Sequence, residues 1–518
     1  MVDTIADNVT RKDQLFMIFL MFIPCLFIRL KFDSDTYWLV NSGRYVIAHG
    51  IPHIEPFTLH QGLHFVMHQW LSATMFALIY DTLGSPFLYL LVAVIKGFII
   101  YSVFRLCVRV SEGNFLISFT IALAVSIPLD FFMVPRPNLF SIFVFSLELN
   151  LLETGVQTKP PCGCCHSAPE NDDIFVVAHD KTTIEKLNKF AIPCGLPILS
   201  VLLINLHAAM WPFFFVLMIP YVIDGFRFSI WGVKGDGYPV LPLGIAAVLS
   251  FAAGWINPYG FESMTYLFRS YGNAYISAMI VEMQSPDFKS LLGIMYFTIY
   301  FIPILIYCFH KGQARLRYAL LMIGTGFMGL SSARSLSLFL VCAIPFLAHP
   351  LKSVQLLKTA GMQPRFPWLR YVMMSILVVF LGSFFFISAG KSEKESEITQ
   401  PIKAVNYIKT HLNNENIRLY TSFNAGGYSE FQGLRPFIDT RAEVFCKSNN
   451  QKENIIDDYF DVAFGKTHYR ELIKKYELTH FLVGKTDILN VYLPKDPDFE
   501  MLFSDDNFKV FTLKTLSS

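Results

Sequence analysis

The chain has 518 residues, of which 53% are hydrophobic and 16% charged, and its mean hydropathy is +0.44. A soluble protein averages about 25% charged residues, so this deficit places the chain in a membrane. The net charge of +2 excludes the strongly basic surface of a nucleic-acid partner.

A span needs roughly 20 apolar residues to cross about 30 Å of hydrocarbon. In chain order the candidates are 14–31, 86–108, 112–133, 137–153, 190–206, 209–227, 239–255, 291–309, 316–331, 335–349 and 371–389. The first has no small-residue cleavage site and carries Arg29 and Lys31 at its far end. It therefore reads as a retained span and not as a signal peptide. Residues 69–83 are apolar but short and carry Asp81, as expected of an interfacial or partly inserted helix.

Lys and Arg collect in alternate loops, among them Arg105 and Arg109, Lys159 to Lys189, Lys311 to Arg317, and Lys352 to Arg370. These loops share one face only if 69–83 does not cross, which makes that face cytosolic. The N-terminus is then cytosolic and the C-terminus extracytoplasmic, in a plasma (inner) membrane.

After Ala389 the composition changes through the linker 391–397, KSEKESE. A helix is expected over Pro401–Leu412, opened by proline in its first turn, with others near Ile455–Ala463 and Tyr469–Tyr476. Strand-like runs lie at Ile417–Tyr420, Pro436–Ile438, His480–Val483 and Phe508–Leu513. The expected architecture is an α-helical polytopic membrane protein with about eleven transmembrane helices and a small C-terminal α/β domain. Residues 1–389 form the membrane part, with a first outer loop at 32–85, and residues 390–518 the extracytoplasmic soluble domain. No internal repeat suggests a transporter built from inverted halves.

The most informative stretch is Phe32 to Leu71, FDSDTYWLVNSGRYVIAHGIPHIEPFTLHQGLHFVMHQWL. It places Asp33 and Asp35 where the first span leaves the bilayer, among Tyr37, Trp38, Tyr45, Trp70 and the histidines His49, His53, His60, His64 and His68. Other polar groups recur at the same face: Arg136, His207, Asn257, Glu262, Glu282 and Arg334. Ionisable groups near membrane depth are costly, so their retention points to function. Each also has a plain structural reading. Arg136 or Arg334 alone is an interfacial anchor, and His207 alone a hydrogen-bonded packing residue. Either Asp33 caps the next helix and leaves Asp35 for chemistry, or the two roles are exchanged.

Such a set suits glycosyl transfer from a polyprenyl-phosphate sugar. The lipid lies in the membrane, cations such as Arg334 and Arg136 stabilise the departing phosphate, and a carboxylate takes the acceptor proton. A single base without an enzyme nucleophile implies inversion at the sugar. No second carboxylate cluster forces a metal, so neither a metal nor another cofactor is expected.

The run D-x-D-T-Y-W-L-x-x-S-G-R-Y-V-I-x-H-G-I-P-x-x-E-P-F-T, ending in H-Q-W-L, resembles the first outer loop of GT-C superfamily membrane glycosyltransferases. These are relatives of protein O-mannosyltransferases and the lipid A aminoarabinose transferase. R-P-N-L-F at Arg136–Phe140, N-L-H-A at Asn205–Ala208, N-P-Y-G at Asn257–Gly260 and S-A-R-S-L-S-L-F at Ser332–Phe339 are similar to that group as well. So are G-G-Y at Gly426–Tyr428 and F-I-D-T-R-A-E at Phe437–Glu443. The resemblance implies a polyprenyl-phosphate sugar donor, membrane lipids around it, and an essential outer-loop acid, best matched by Asp35. Two departures bear on the donor's identity: Ser34 separates the acid pair, and Ala208 ends the N-L-H motif.

The expected catalytic groups are thus Asp35 and Asp33. Arg334, Arg136 and His207 are expected at the donor phosphate, and Trp38, His68, Asn257 and Glu282 against acceptor or substrate. Asp439, Arg441 and Glu443 are expected to be structural, as a strand followed by a buried salt bridge. The nine cysteines form no disulfide framework. The cluster at 162–166 reads as variable loop, palmitoylation site or, less readily, a metal knuckle, because adjacent cysteines rarely share one zinc. The competing class is a non-catalytic transporter, flippase or scaffold that keeps the same frame.

Overall fold

Within hydrocarbon a backbone N–H finds no partner but its own helix, and the long apolar runs fold accordingly. The computed structural model describes residues 32–156, 181–226, 229–230, 233–270, 273–309, 314–352, 399–412 and 417–514, together with Ile18. The expected spans 14–31 and 371–389, the linker at 391–397 and the cluster at 162–166 lie outside the described residues.

The membrane part contains α1 (Ser34–His49), α2 (Trp70–Leu83), α3 (Ser85–Val110), α4 (Phe115–Leu129), α5 (Asn138–Val156), α6 (Lys181–His207), α7 (Trp211–Asp224), α8 (Leu241–Ala253), α9 (Leu291–Phe309) and α10 (Leu316–Ser331). Among the described residues four apolar stretches are long enough to cross a bilayer: Ser85–Val110, Asn138–Val156, Ile192–Asp224 and Leu291–Cys308. A fifth, Ala333–Cys342 with Ile344–Leu351, is bent by 44° at its break, where Pro345 opens the second piece.

The expected spans 112–133, 239–255 and 316–331 fold as shorter helices of 15, 13 and 16 residues. The stretch Ile192–Asp224 is a hairpin turning at His207. Trp211 Nε1 donates to Ser200 Oγ at 2.8 Å, eleven residues back, whereas a continuous helix would hold those positions about 16 Å apart. Residues 190–206 and 209–227 therefore run in opposite directions. With 14 residues, α2 is too short to span. It packs on α1 where Gly43 leaves no room for a Cβ, which would lie 2.1 Å from the Ala73 carbonyl oxygen.

Charged groups separate to the two ends of the bundle. One end carries the acids of α1. At the other, Arg317 joins Glu153 at 3.0 Å, Asp224 at 2.5 Å and Asp236 at 2.6 Å, clamping the ends of α5, α7 and α10.

The C-terminal unit is a four-stranded mixed sheet with helices. Strands β1 (Leu419–Thr421), β2 (His480–Gly484), β3 (Phe499–Ser504) and β4 (Phe508–Leu513) take the order β1-β2-β4-β3, and only the β1–β2 pair is parallel. Helices form at Ile402–His411, Ile455–Ala463 and Tyr469–Tyr476, as expected. Pro436–Ile438 is not a strand but a single bridge between Leu419 and Pro436. Its carbonyl groups are claimed by the outer loop: Leu59 N–H donates to Pro436 at 3.1 Å and His60 Nε2 bonds Phe437 at 2.8 Å. Strand β3 is an element that the sequence pattern did not predict.

Candidate active site

Asp33 occupies the N-cap of α1, and its carboxylate accepts from both the backbone N–H and the hydroxyl of Thr36 at 3.0 Å. A cap of this kind satisfies a donor that the first helical turn leaves orphaned. Asp35 follows within that turn and accepts from Trp38 Nε1 at 3.2 Å. Arg136, delivered by the turn before α5, closes the group. It pairs with Asp33, reaches Asp35 at 3.1 Å and binds Glu282 at 2.8 Å. The two aspartate side chains stay 30% and 27% exposed, so the cluster is open to a ligand.

Their surroundings push the two acids apart. Burial raises the Asp33 carboxyl, but the Arg136 charge and the Thr36 hydrogen bonds outweigh it and hold the group below the usual range. For Asp35 burial dominates, and the negative charges of Asp33 and Glu282 add to it. Arg136 and the nearby Thr440 hydroxyl oppose this without cancelling it, so the group is raised. An ionised partner beside a carboxyl with a raised pKa is the pattern of divided roles at catalytic carboxylate pairs.

Arg334 lies in the short turn Ala333–Ser335 after α10. That turn is tied to the Glu282 segment through Ser332 Oγ to Glu282 O at 3.0 Å and Ala333 N–H to Gln284 O at 2.8 Å. The charge of Arg334 acts on both His68 and Tyr266. His68 stacks on Tyr266 at 4.1 Å and lies 5.7 Å from the His207 ring, while His207 Nδ1 bonds Ser141 Oγ at 2.7 Å. Burial, then the neighbouring His207 ring and the Arg334 charge, lower the His68 pKa well below the ordinary value. His68 is thus a neutral hydrogen-bonding group, with Arg334 the cation beside it.

The predicted residues therefore gather as two adjoining sets. Asp33, Asp35, Trp38, Arg136 and Glu282 form one, and His68, His207 and Arg334 the other. Asn257 is held within its own turn. Its amide binds the carbonyl groups of Gly254 and Gly260 at 2.6 and 3.0 Å and accepts from Tyr259 N–H. Arg136 serves three carboxylates.

Three residues absent from the predicted set also reach this region. Tyr266 donates to Glu443 at 3.2 Å, Ser141 holds His207, and Thr440 lies beside Asp35. The motif F-I-D-T-R-A-E carried the signal for Glu443 and Thr440. Behind them Arg441 is buried with Glu55 at 3.0 Å, Glu430 at 2.8 Å and Asp439 at 2.6 Å, the buried salt bridge expected there, though without the strand. One guanidinium cannot balance three carboxylates. Burial first, and then the Asp439 and Glu55 charges working against Arg441, raise Glu430 well above the carboxylate range.

No family model and no curated protein sequence matches the chain. Solved structures do. The apo oligosaccharyltransferase of Archaeoglobus fulgidus superposes with a TM-score of 0.55 at 11% identity, covering 92% of this chain and 70% of that one. The same organism's AglB, in complex with an inhibitory peptide and a dolichol-phosphate, gives 0.54 at 11% identity over 91% and 69%. ArnT of Cupriavidus metallidurans bound to undecaprenyl phosphate gives 0.49 at 10% identity over 96% and 97%. Over most of its length the chain therefore shares the overall fold of these oligosaccharyltransferase structures.

Proposed function

We propose that this protein is an inverting glycosyltransferase that moves a sugar from a polyprenyl-phosphate donor to an acceptor hydroxyl at the extracytoplasmic face. The observation that carries this reading is the division between the two aspartates. Asp33 is engaged as helix cap and partner of Arg136, while Asp35 is partly exposed with its pKa raised. In the reaction the acceptor oxygen bonds to the anomeric carbon as its proton passes to Asp35. The bond from that carbon to the phosphate oxygen breaks, and the electron pair leaves with the polyprenyl phosphate. Arg334 receives that charge, with neutral His68 and His207 as further hydrogen-bonding groups. General-base help of this kind is worth about 10²–10⁴-fold. Residues 390–518 form the extracytoplasmic domain over this site, and the inner membrane is the compartment that fits it.

Binding of undecaprenyl phosphate to the purified protein, followed by native mass spectrometry, tests the phosphate seat. Arg334→Ala should weaken binding at least tenfold and Asp35→Asn should leave it intact. Equal binding by wild type and Arg334→Ala would remove the seat from this place.

One observation favours the transporter reading. Glu148 is fully buried within α5, and neither carboxylate oxygen has a hydrogen-bond partner among the described residues. A proton-coupled transporter would lose function in Glu148→Gln, whereas a transferase would keep its turnover.

A further inference from the structure

The C-terminal unit does more than cover the bundle. Its helix Gly426–Phe431 abuts the start of α1, where Gly427 N–H donates to Ser34 Oγ at 3.2 Å. A Cβ on Gly427 would fall 2.4 Å from the Ser34 carbonyl oxygen, so the two backbones meet directly beside the acid pair. Tyr37, on the same turn as Asp35, packs against Tyr428 at 4.9 Å and Phe431 at 5.0 Å.

The Arg441 hub fixes this contact, and its acids come from both parts of the chain. Glu55 belongs to the outer loop, and Glu430 and Asp439 to the C-terminal unit. The guanidinium also lies over the rings of Trp38 at 5.8 Å and Phe57 at 5.0 Å, and Trp38 is the residue whose indole N–H holds Asp35. Thr440 stands between Asp439 and Arg441, so the hub fixes the backbone on both sides of it. Its hydroxyl oxygen is buried, close enough to Asp35 to favour that group's charged form, and without a partner at full hydrogen-bond geometry among the described residues. A buried hydroxyl without a partner is costly unless it serves a group that needs it in another state.

We infer that Thr440 is a positioning residue for Asp35: when Asp35 is ionised, the Thr440 hydroxyl donates to its carboxylate, so the C-terminal domain completes the catalytic base. This rests on the reading of Asp35 given above. Oδ1 of Asp35 faces Trp38 and Oδ2 faces Arg136. A third donor from Thr440 stabilises the charged form and sets the lowest pH at which Asp35 acts as a base. Docking of the domain and readiness of the base are then one event.

The test is pH-difference infrared spectroscopy on the full chain in detergent, which needs no substrate. The carboxyl band lost in Asp35→Asn identifies Asp35. Thr440→Val and Thr440→Ala should raise the midpoint of that band by on the order of half to one pH unit, because a hydrogen bond to the charged form is removed. Thr440→Ser should restore it, which a packing role would not do. If the band is found but keeps its midpoint in Thr440→Val and Thr440→Ala, the inference is overturned and the role of Asp35 stands. If Asp35→Asn removes no titrating band, the reading of Asp35 fails and takes this inference with it.

Discussion

Two ends of the same bundle each hold one arginine among three carboxylates, and they do different work. Arg317 and its partners Glu153 and Asp224 are fully buried, with only Asp236 at the edge. Arg136 and its partners Asp33, Asp35 and Glu282 are between 27% and 55% exposed. Among the described residues the sealed cluster is closed off except at Asp236, and it serves as a clamp on helix ends. The open one keeps its charges accessible from outside the protein. Charge composition does not separate a structural cluster from a functional one. Access does.

Removing the central cation at each end should break the symmetry most sharply. Arg317→Ala leaves buried carboxylates uncompensated and should cost about 3–5 kcal/mol in thermal or denaturant unfolding. Arg136→Ala, partly exposed, should stay within about 1 kcal/mol of wild type in the same assay. Equal losses at the two ends would refute the distinction.

Gly427→Ala probes the wall of the open site and should destabilise by about 1–3 kcal/mol through overpacking against Ser34. Its effect should be visible as earlier unfolding of the C-terminal unit in hydrogen exchange. A variant as stable as wild type would mean that the two backbones do not meet as closely as described.

The pH dependence of turnover sharpens the contrast within the open cluster. Arg136 lowers the Asp35 pKa and Asp33 raises it. The acidic limb, set by protonation of Asp35, should therefore move to higher pH in Arg136→Ala. It should move to lower pH in Asp33→Asn, where Asn still caps α1. Shifts in the same direction would contradict the assignment of the base. The smallest effect is expected at the Arg441 hub. Burial and the neighbouring acids raise Glu430 well above the carboxylate range, which makes its charge the least stabilised of the three, so Glu430→Gln should change stability by less than about 1 kcal/mol in the same unfolding assay.

The sequence made much of this legible, for physical reasons that also explain the rest. Apolar periodicity and length located the helices, and the short apolar run at 69–83, expected as an interfacial or partly inserted helix, folds as a helix of 14 residues. The acid pair at the head of α1 was visible because a capping aspartate announces itself locally. That Arg136 would bind Asp33, 103 residues away in the chain, follows from helix packing that no local pattern encodes. Pro436–Ile438 has strand composition, but the outer loop takes the carbonyl groups of Pro436 and Phe437. Thr440 was hidden between two charged neighbours that attracted the notice.

The most direct test is transfer itself. Purified wild type and Asp35→Asn would be incubated with a panel of polyprenyl-phosphate sugars and a membrane-lipid acceptor pool, and product formation followed by mass spectrometry. The account predicts transfer from at least one donor by wild type and a loss of at least about 10²-fold in Asp35→Asn with an unchanged melting temperature. Asp35→Asn turning over at the wild-type rate would contradict it.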